Sequence, residues 1–246
     1  MIFFSVILRC QNYKPRITMS NIYPIEEKLS GDFEEIDTFQ NYPCKNSVFW
    51  LIHKMYIVVL LTIDNKITVP GGKIDDRDKD PFSAGKRETG EEYRDDLPRL
   101  TTIAKVAQKH NRSYTAHYIL ESPSYLKAEL GNCPKCKKRG KRIRIAKCHR
   151  HRETVAAFLV TRQELLDFCN GICVNRKCDK QRNGEYKHCS RECAKNDDTC
   201  VSFGCHNVRN GRYEHCSHKC ASYDKNPKPR RSFVKSANAI LGAYAF

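Results

Sequence analysis

The chain has 246 residues, and its 44 Lys and Arg against 28 Asp and Glu give a formal net charge of +16. That length suits one sizeable core with small appendages, since compact domains hold about 100 to 200 residues, and the charge favours polyanionic partners, nucleic acid above all. After the first residues the longest apolar run, Met55 to Ile63, is about half of what a membrane-spanning helix requires, so no membrane span is expected.

The opening Met1 to Leu8 is apolar but lacks a basic leader and stops at Arg9, Cys10 and Gln11. It is too short for an export signal. Met19 precedes a more ordinary start, so residues 1 to 18 are expected to be disordered or outside the natural product. An acidic segment, Glu26 to Asp37, belongs to a lead that reads as helical or irregular to about Tyr42 and would shield a basic surface. Ser47 to Ile63 then reads as strand with a break near His53, followed by a turn at Asp64-Asn65.

Next comes Val69-Pro70-Gly71-Gly72-Lys73-Ile74-Asp75, with Arg87-Glu88-Thr89-Gly90-Glu91-Glu92 beginning fifteen residues after Gly72. A glycine pair lets the backbone turn tightly and approach a ligand. A helix carrying Glu88, Glu91 and Glu92 at i, i+3 and i+4 gathers three carboxylates on one face. Hard oxygen donors in that arrangement suit Mg²⁺ or Mn²⁺. Gly90 costs such a helix about 1 kcal/mol against Ala, so helical stability did not shape the segment.

These residues resemble the box of the Nudix hydrolases, G-x5-E-x7-R-E-U-x-E-E-x-G-U, where U is a bulky aliphatic residue. Gly72 matches the first glycine, and Arg87, Glu88, Glu91 and Glu92 match the R-E-x-x-E-E core. One residue is inserted before the arginine; the early glutamate becomes Asp78 or Asp76, the aliphatic residue is Thr89, and the late glycine is Arg94. The resemblance implies an α+β fold, an α/β/α sandwich with a mixed sheet, and a helix that binds divalent cations against a diphosphate. It makes Glu88 and Glu92 metal ligands and Glu91 a further ligand or the acceptor of the attacking water's proton. Arg87 would orient a glutamate, while Gly71, Gly72 and Lys73 would shape the substrate loop.

After the helix, Leu100 to Gln108 and Tyr114 to Leu120 read as strands around a polar turn at His110-Asn111-Arg112. Cys133-x2-Cys136-x11-Cys148-x2-His151 then resembles a zinc ribbon, with His151 favoured over His149 because it restores the two-residue gap. Between Asn132 and Arg152 there are ten Lys or Arg and no acidic residue. Such a loop either grips phosphate backbone or is a solvated loop around a metal. Thr154 to Val160 is strand-like and Arg162 to Phe168 helical, with Thr161 as N-cap and Glu164 at N3 completing a capping box.

Two segments then repeat with a 27-residue offset: Cys173-x4-Cys178-x10-Cys189-x3-Cys193 and Cys200-x4-Cys205-x10-Cys216-x3-Cys220. Each contains Arg-Asn-Gly-x-Tyr-x-His-Cys-Ser, from Arg182 and from Arg209, where Asn-Gly suits a tight turn. Four thiolates per unit satisfy a tetrahedral Zn²⁺ with no open position, which marks a structural site, and so few residues need the metal to fold. His188, His215 and His218 stand beside the ligands, but four cysteines make a histidine unnecessary. Two to three zinc ions are expected, leaving Cys10, Cys44 and Cys169 as plain thiols. Reduced thiols without an export signal indicate an intracellular protein, cytoplasmic ahead of nuclear.

The expected organisation is therefore an N-terminal extension over 1–44, a hydrolase-like domain over 45–170 with a zinc insertion at 131–152, tandem knuckles over 171–224, and a basic then apolar tail over 225–246 that docks or frays. Lys228, Arg230 and Arg231 repeat the basic pattern there. The expected activity is hydrolysis of a diphosphate linkage in a nucleotide derivative or a capped RNA end, with RNA or another polyanion as partner. The competing expectation is a zinc-containing nucleic-acid-binding or protein-binding factor with an inactive core.

Overall fold

Residues 47–62 of the apolar stretch lie in two antiparallel strands joined at Lys54-Met55, where Lys54 takes a positive φ of 56° next to the break expected at His53. The computed structural model describes residues 29, 31–62, 64–92, 99–122, 154–173, 178–182, 187–197, 200, 208–209, 213, 215 and 228–244. The proposed ribbon ligands Cys133, Cys136, Cys148 and His151, the basic stretch around them, and Arg94, Cys205, Cys216 and Cys220 lie outside the described residues. In chain order the described strands are β1 (Phe33–Glu35), β2 (Cys44–His53), β3 (Tyr56–Thr62), β4 (Lys66–Thr68), β5 (Gly71–Lys73), β6 (Thr101–His110), β7 (Ser113–Glu121), β8 (Thr154–Thr161) and β9 (Lys228–Pro229). The helices are α1 (Pro81–Glu92), α2 (Arg162–Cys169), α3 (Arg191–Lys195) and α4 (Arg231–Ala243).

The strands form one mixed sheet in the order β1-β6-β7-β2-β3-β4-β9, with β5 added to β2 and β8 to β3. The central β2–β7 pair is parallel, from Cys44 opposite Tyr114 to Ile52 opposite Glu121. Its neighbours β2–β3 and β6–β7 are antiparallel. This is an α+β architecture.

Alternation divides the strands between two apolar layers. Phe49, Leu51, Val58, Leu60 and Tyr118 share one cluster with Phe82 of α1. Trp50, Ile52, Ile57, Val59 and Ile119 share the other with Leu165 and Phe168 of α2 and with Phe233, Ala237, Ile240 and Leu241 of α4. Burial on both faces explains why β2 and β3 read as nearly continuous apolar runs. Helix α1 sits so low on its face that a Cβ at Gly85 would lie 2.2 Å from the Phe49 ring.

The capping box at α2 forms as read, with Thr161 accepting the Glu164 N–H and the Glu164 carboxylate accepting the Thr161 N–H. The acidic lead departs from the expectation. Phe33–Glu35 is a strand antiparallel to β6, with Phe33 opposite Gln108. Phe33 is buried while Glu34 and Glu35 are exposed, and a strand of three residues is too short to stand out among the surrounding acids. The apolar tail docks: Trp50 stacks on Phe233 at 5.8 Å, and Tyr244 donates its hydroxyl to Glu35 at 2.6 Å. Beneath it, Trp50 Nε1 donates to His117 Nδ1 at 3.3 Å, His117 Nε2 bonds Gln108 Oε1 at 3.0 Å, and Ser236 Oγ of α4 donates to the same oxygen at 3.1 Å. Among the described residues, no helix is long and apolar enough to cross a membrane.

Candidate active site and metal centre

Asp80 and Pro81 start α1. The Asp80 carboxylate accepts the Ser83 N–H at 2.6 Å, and proline stands at the first helical position, where its missing N–H costs nothing. From that start Glu88 and Glu92, one turn apart, both reach the glycine turn on β5. Glu92 Oε2 accepts the Gly71 N–H at 2.9 Å. The Glu88 carboxylate fills the space beside Gly72, where a Cβ would lie 2.4 Å from it. Gly71 has φ +146°, and a Cβ there would lie 2.4 Å from the Ser47 carbonyl oxygen, so neither its conformation nor its surroundings admit a side chain.

Arg87 organises the acidic groups. Its Nε and Nη2 donate to the two oxygens of Asp78 at 3.1 and 2.9 Å, its Nη1 donates to Glu88 at 2.7 Å, and its Nη2 also donates to the Lys73 carbonyl at 3.1 Å. Asp75 and Glu91 lie at 3.4 and 3.7 Å. Of the two acids Asp76 and Asp78, it is Asp78 that Arg87 engages. The pairing holds even though the extra residue of the spacing falls between Asp78 and Arg87. The guanidinium, helped by the Asp75 N–H, pulls the Asp78 carboxyl down to about 2, and Asp78 in turn holds the Arg87 proton more tightly than usual.

The three glutamates are not equivalent. Glu88 has 21% of its side chain exposed and lies against the turn, whereas Glu91 has 52% exposed and points toward solvent beside Arg87. Thr89 is fully buried, and its hydroxyl has no hydrogen-bond partner among the described residues. Lys73 is exposed and contributes its carbonyl to Arg87. The carboxylate set offers hard oxygen donors, the chemistry that Mg²⁺ and Mn²⁺ take.

The first cysteine repeat closes into a second centre. An isolated antiparallel bridge pairs Ile172 with Gln181, and the Cys173 N–H donates to the Lys180 carbonyl at 2.9 Å. Gly171, with φ +67°, turns the chain into it after α2. Ser190 caps α3 by accepting the Cys193 N–H at 3.1 Å. The sulfurs of Cys173, Cys178, Cys189 and Cys193 all lie within 4.8 Å of one another, with the Cys173–Cys193 and Cys178–Cys189 pairs at 3.5 Å. A disulfide requires about 2.05 Å; a tetrahedral zinc with bonds of about 2.3 Å requires sulfurs about 3.8 Å apart. The four thiols thus form a donor set fitted to a tetrahedral ion. Cys200, first of the second repeat, is buried.

His188 is not part of that donor set in the structure. Its Nε2 lies 2.9 Å from Asp197 Oδ2, and Arg209 from the second repeat lies 3.7 Å from the same carboxylate while donating to the Ala194 carbonyl at 3.0 Å. The 27-residue offset carried a signal for this pair, because His188 and Asp197 recur as His215 and Asp224. Cys44 and Cys169 stand apart as free thiols that burial pushes up to about 11 and about 12.

No family model matches the chain. No curated protein matches it. Solved structures similar to it include a mutant of the Bacillus subtilis pyrophosphohydrolase BsRppH, at 14% identity and a TM-score of 0.30, over 43% of this chain and 68% of that one.

Proposed function

We propose that this chain is a divalent-metal-dependent hydrolase that cleaves a diphosphate linkage in a nucleotide derivative, with a capped RNA end as its specific substrate. The observation that carries the proposal is the joint placement of Glu88 and Glu92 against the Gly71-Gly72 turn, organised by Arg87. Glu88, Glu91 and Glu92 would hold Mg²⁺ or Mn²⁺. When bound, the cation offsets the charge of the diphosphate and lowers the pKa of a coordinated water.

The protein's own groups do the rest. Arg87 keeps the Glu88 carboxylate aimed at the turn and, by sharing its charge with Asp78, lets several acids stand together. Glu91, the more exposed acid, is assigned as the further ligand or the acceptor of the attacking water's proton. The turn brings backbone rather than side chains to the site, leaving room for a phosphate group to approach. Zn²⁺ is assigned to Cys173, Cys178, Cys189 and Cys193 as a structural ion. By the repeat, a second is assigned to Cys200, Cys205, Cys216 and Cys220, and a third to Cys133, Cys136, Cys148 and His151. These modules and the net charge of +16 direct the choice of substrate toward RNA.

A panel of diphosphate-linked nucleotides and capped RNA, incubated with Mg²⁺ or Mn²⁺, tests the proposal. Release of a monophosphate product that is lost in Glu88→Gln and Glu92→Gln supports it. A folded chain inactive on every member would favour a binding factor instead.

A further inference from the structure

From Lys225 to Phe246 the chain has five Lys or Arg and no acidic residue. Residues 228–230 of this segment pair with the sheet. Strand β9 lies parallel to β4, with the Lys228 N–H donating to the Asn65 carbonyl at 3.1 Å and the Arg230 N–H to the Ile67 carbonyl at 3.3 Å. Pro229, which has no N–H to give, falls between the two donors, as an edge strand permits. Lys228, Arg230 and Arg231 are all exposed. Nearby, Asp64 pairs with Lys66 at 2.6 Å, accepts the Thr62 hydroxyl and also feels the charge of Arg230. Three cations are therefore held on a fixed backbone at the sheet edge.

That edge adjoins the glutamate site. Ile67, which receives the Arg230 N–H, stands four residues before Gly71, so the two backbones are at most about 14 Å apart. We infer that the strap Lys228–Arg231 is a docking surface for the phosphate backbone of single-stranded RNA whose 5′ end occupies the glutamate site. This inference rests on the function proposed above. A free nucleotide ends at the glycine turn, whereas a polynucleotide continues past it and places further phosphates over the strap. Arginine is well suited to such contacts because its planar fork matches phosphate oxygens. Phosphates neutralised there release counterions, which ties binding to ionic strength. Because the backbone that carries them is already paired with β4, no backbone freedom of residues 228–230 is lost on contact.

The test uses the full chain with Glu88→Gln to prevent turnover, and a 5′-capped single-stranded RNA oligonucleotide in fluorescence anisotropy over a salt series. Adding Arg230→Ala and Arg231→Ala together is expected to raise Kd about tenfold or more and to reduce the slope of log affinity against log salt by about 1.4, or 0.7 per lost phosphate contact. Arg230→Lys with Arg231→Lys restores most of both, since the charge is kept. With Glu88 intact, the double alanine variant hydrolyses a diphosphate-linked dinucleotide at the wild-type rate. Absence of RNA binding by the parent chain, or an affinity and slope unchanged by the alanines at an equal melting temperature, overturns the strap. If the wild-type chain hydrolyses nothing, the glutamate assignment fails, and the binding series still decides the strap.

Discussion

Gly72 leaves the space that the Glu88 carboxylate occupies: a Cβ at that position would lie 2.4 Å from Glu88 Cδ and 2.4 Å from Oε2. Gly72→Ala therefore has to displace a side-chain end, which can move, rather than backbone. The variant is expected to fold with a near-normal Tm and to lose about 100-fold in kcat/KM, the scale on which a shift of about 1 Å in a positioned group acts. Gly71→Ala is expected to behave differently, because its Cβ would meet the Ser47 carbonyl oxygen and the Val48 Cα at 2.4 and 2.7 Å. Thermal unfolding would show the loss there as destabilisation. Equal stability of the two variants would contradict the geometry.

Arg87 and Asp78 form a two-point pair, so exchanging arginine for lysine keeps the charge and loses the fork. Arg87→Lys is expected to bind the activating cation in isothermal titration but to turn over at least about tenfold more slowly, because Glu88 loses its aim. Asp78→Asn should be intermediate, and Asp76→Asn close to wild type. An Asp76 variant worse than the Asp78 variant would reverse the assignment of the early acid.

The buried imidazole of His117 predicts a pH dependence of stability. Burial, with a smaller contribution from His110, lowers its pKa from 6.5 to about 3. In the folded chain it stays neutral, while the unfolded chain takes up a proton as pH falls through 6.5. Its contribution is thus fully present above pH 6.5 and falls between there and about pH 3, at a slope of up to about 1.4 kcal/mol per pH unit. Urea midpoints across this range check it. A His117→Asn variant, less stable at neutral pH, should show a flatter slope; an unchanged slope would place the acid sensitivity elsewhere.

The main strands could be read because each advertises itself locally. The run over 47 to 63 is apolar on both faces, the polar turn after His110 separates two β-branched segments, and Thr161 with Glu164 announces α2. The glutamate helix was likewise visible, from its spacing together with the Pro70-Gly71-Gly72 turn before it. What escaped were contacts made at long sequence separation. Phe33 finds Gln108, Lys228 finds Asn65, and Ser236 joins Gln108 and His117, none of which leaves a periodic trace. The choice between Asp76 and Asp78 also needed the folded turn, since Arg87 selects by reach rather than by sequence distance.

The four-sulfur centre predicts bound zinc. Purified under reducing conditions, the chain should carry two to three zinc ions by elemental analysis, and Cys189→Ala should remove about one. Chelation should lower the stability of the 171–197 segment in hydrogen exchange while leaving β2 and β7 protected, because the metal supplies the folding free energy of so small a module. A metal-free product containing disulfides would refute the ligand assignment.

The decisive measurement is single-turnover hydrolysis of capped RNA and of a diphosphate-linked dinucleotide by the wild-type chain with Mg²⁺ or Mn²⁺, alongside Glu88→Gln and Glu92→Gln, with circular dichroism on each sample. Cleavage by the wild type that falls by about 100-fold or more in both variants, at unchanged circular dichroism, is the predicted result. Cleavage that persists in the two variants, or a folded wild type that cleaves neither substrate, would contradict the assignment of the glutamate–glycine site as the centre of hydrolysis.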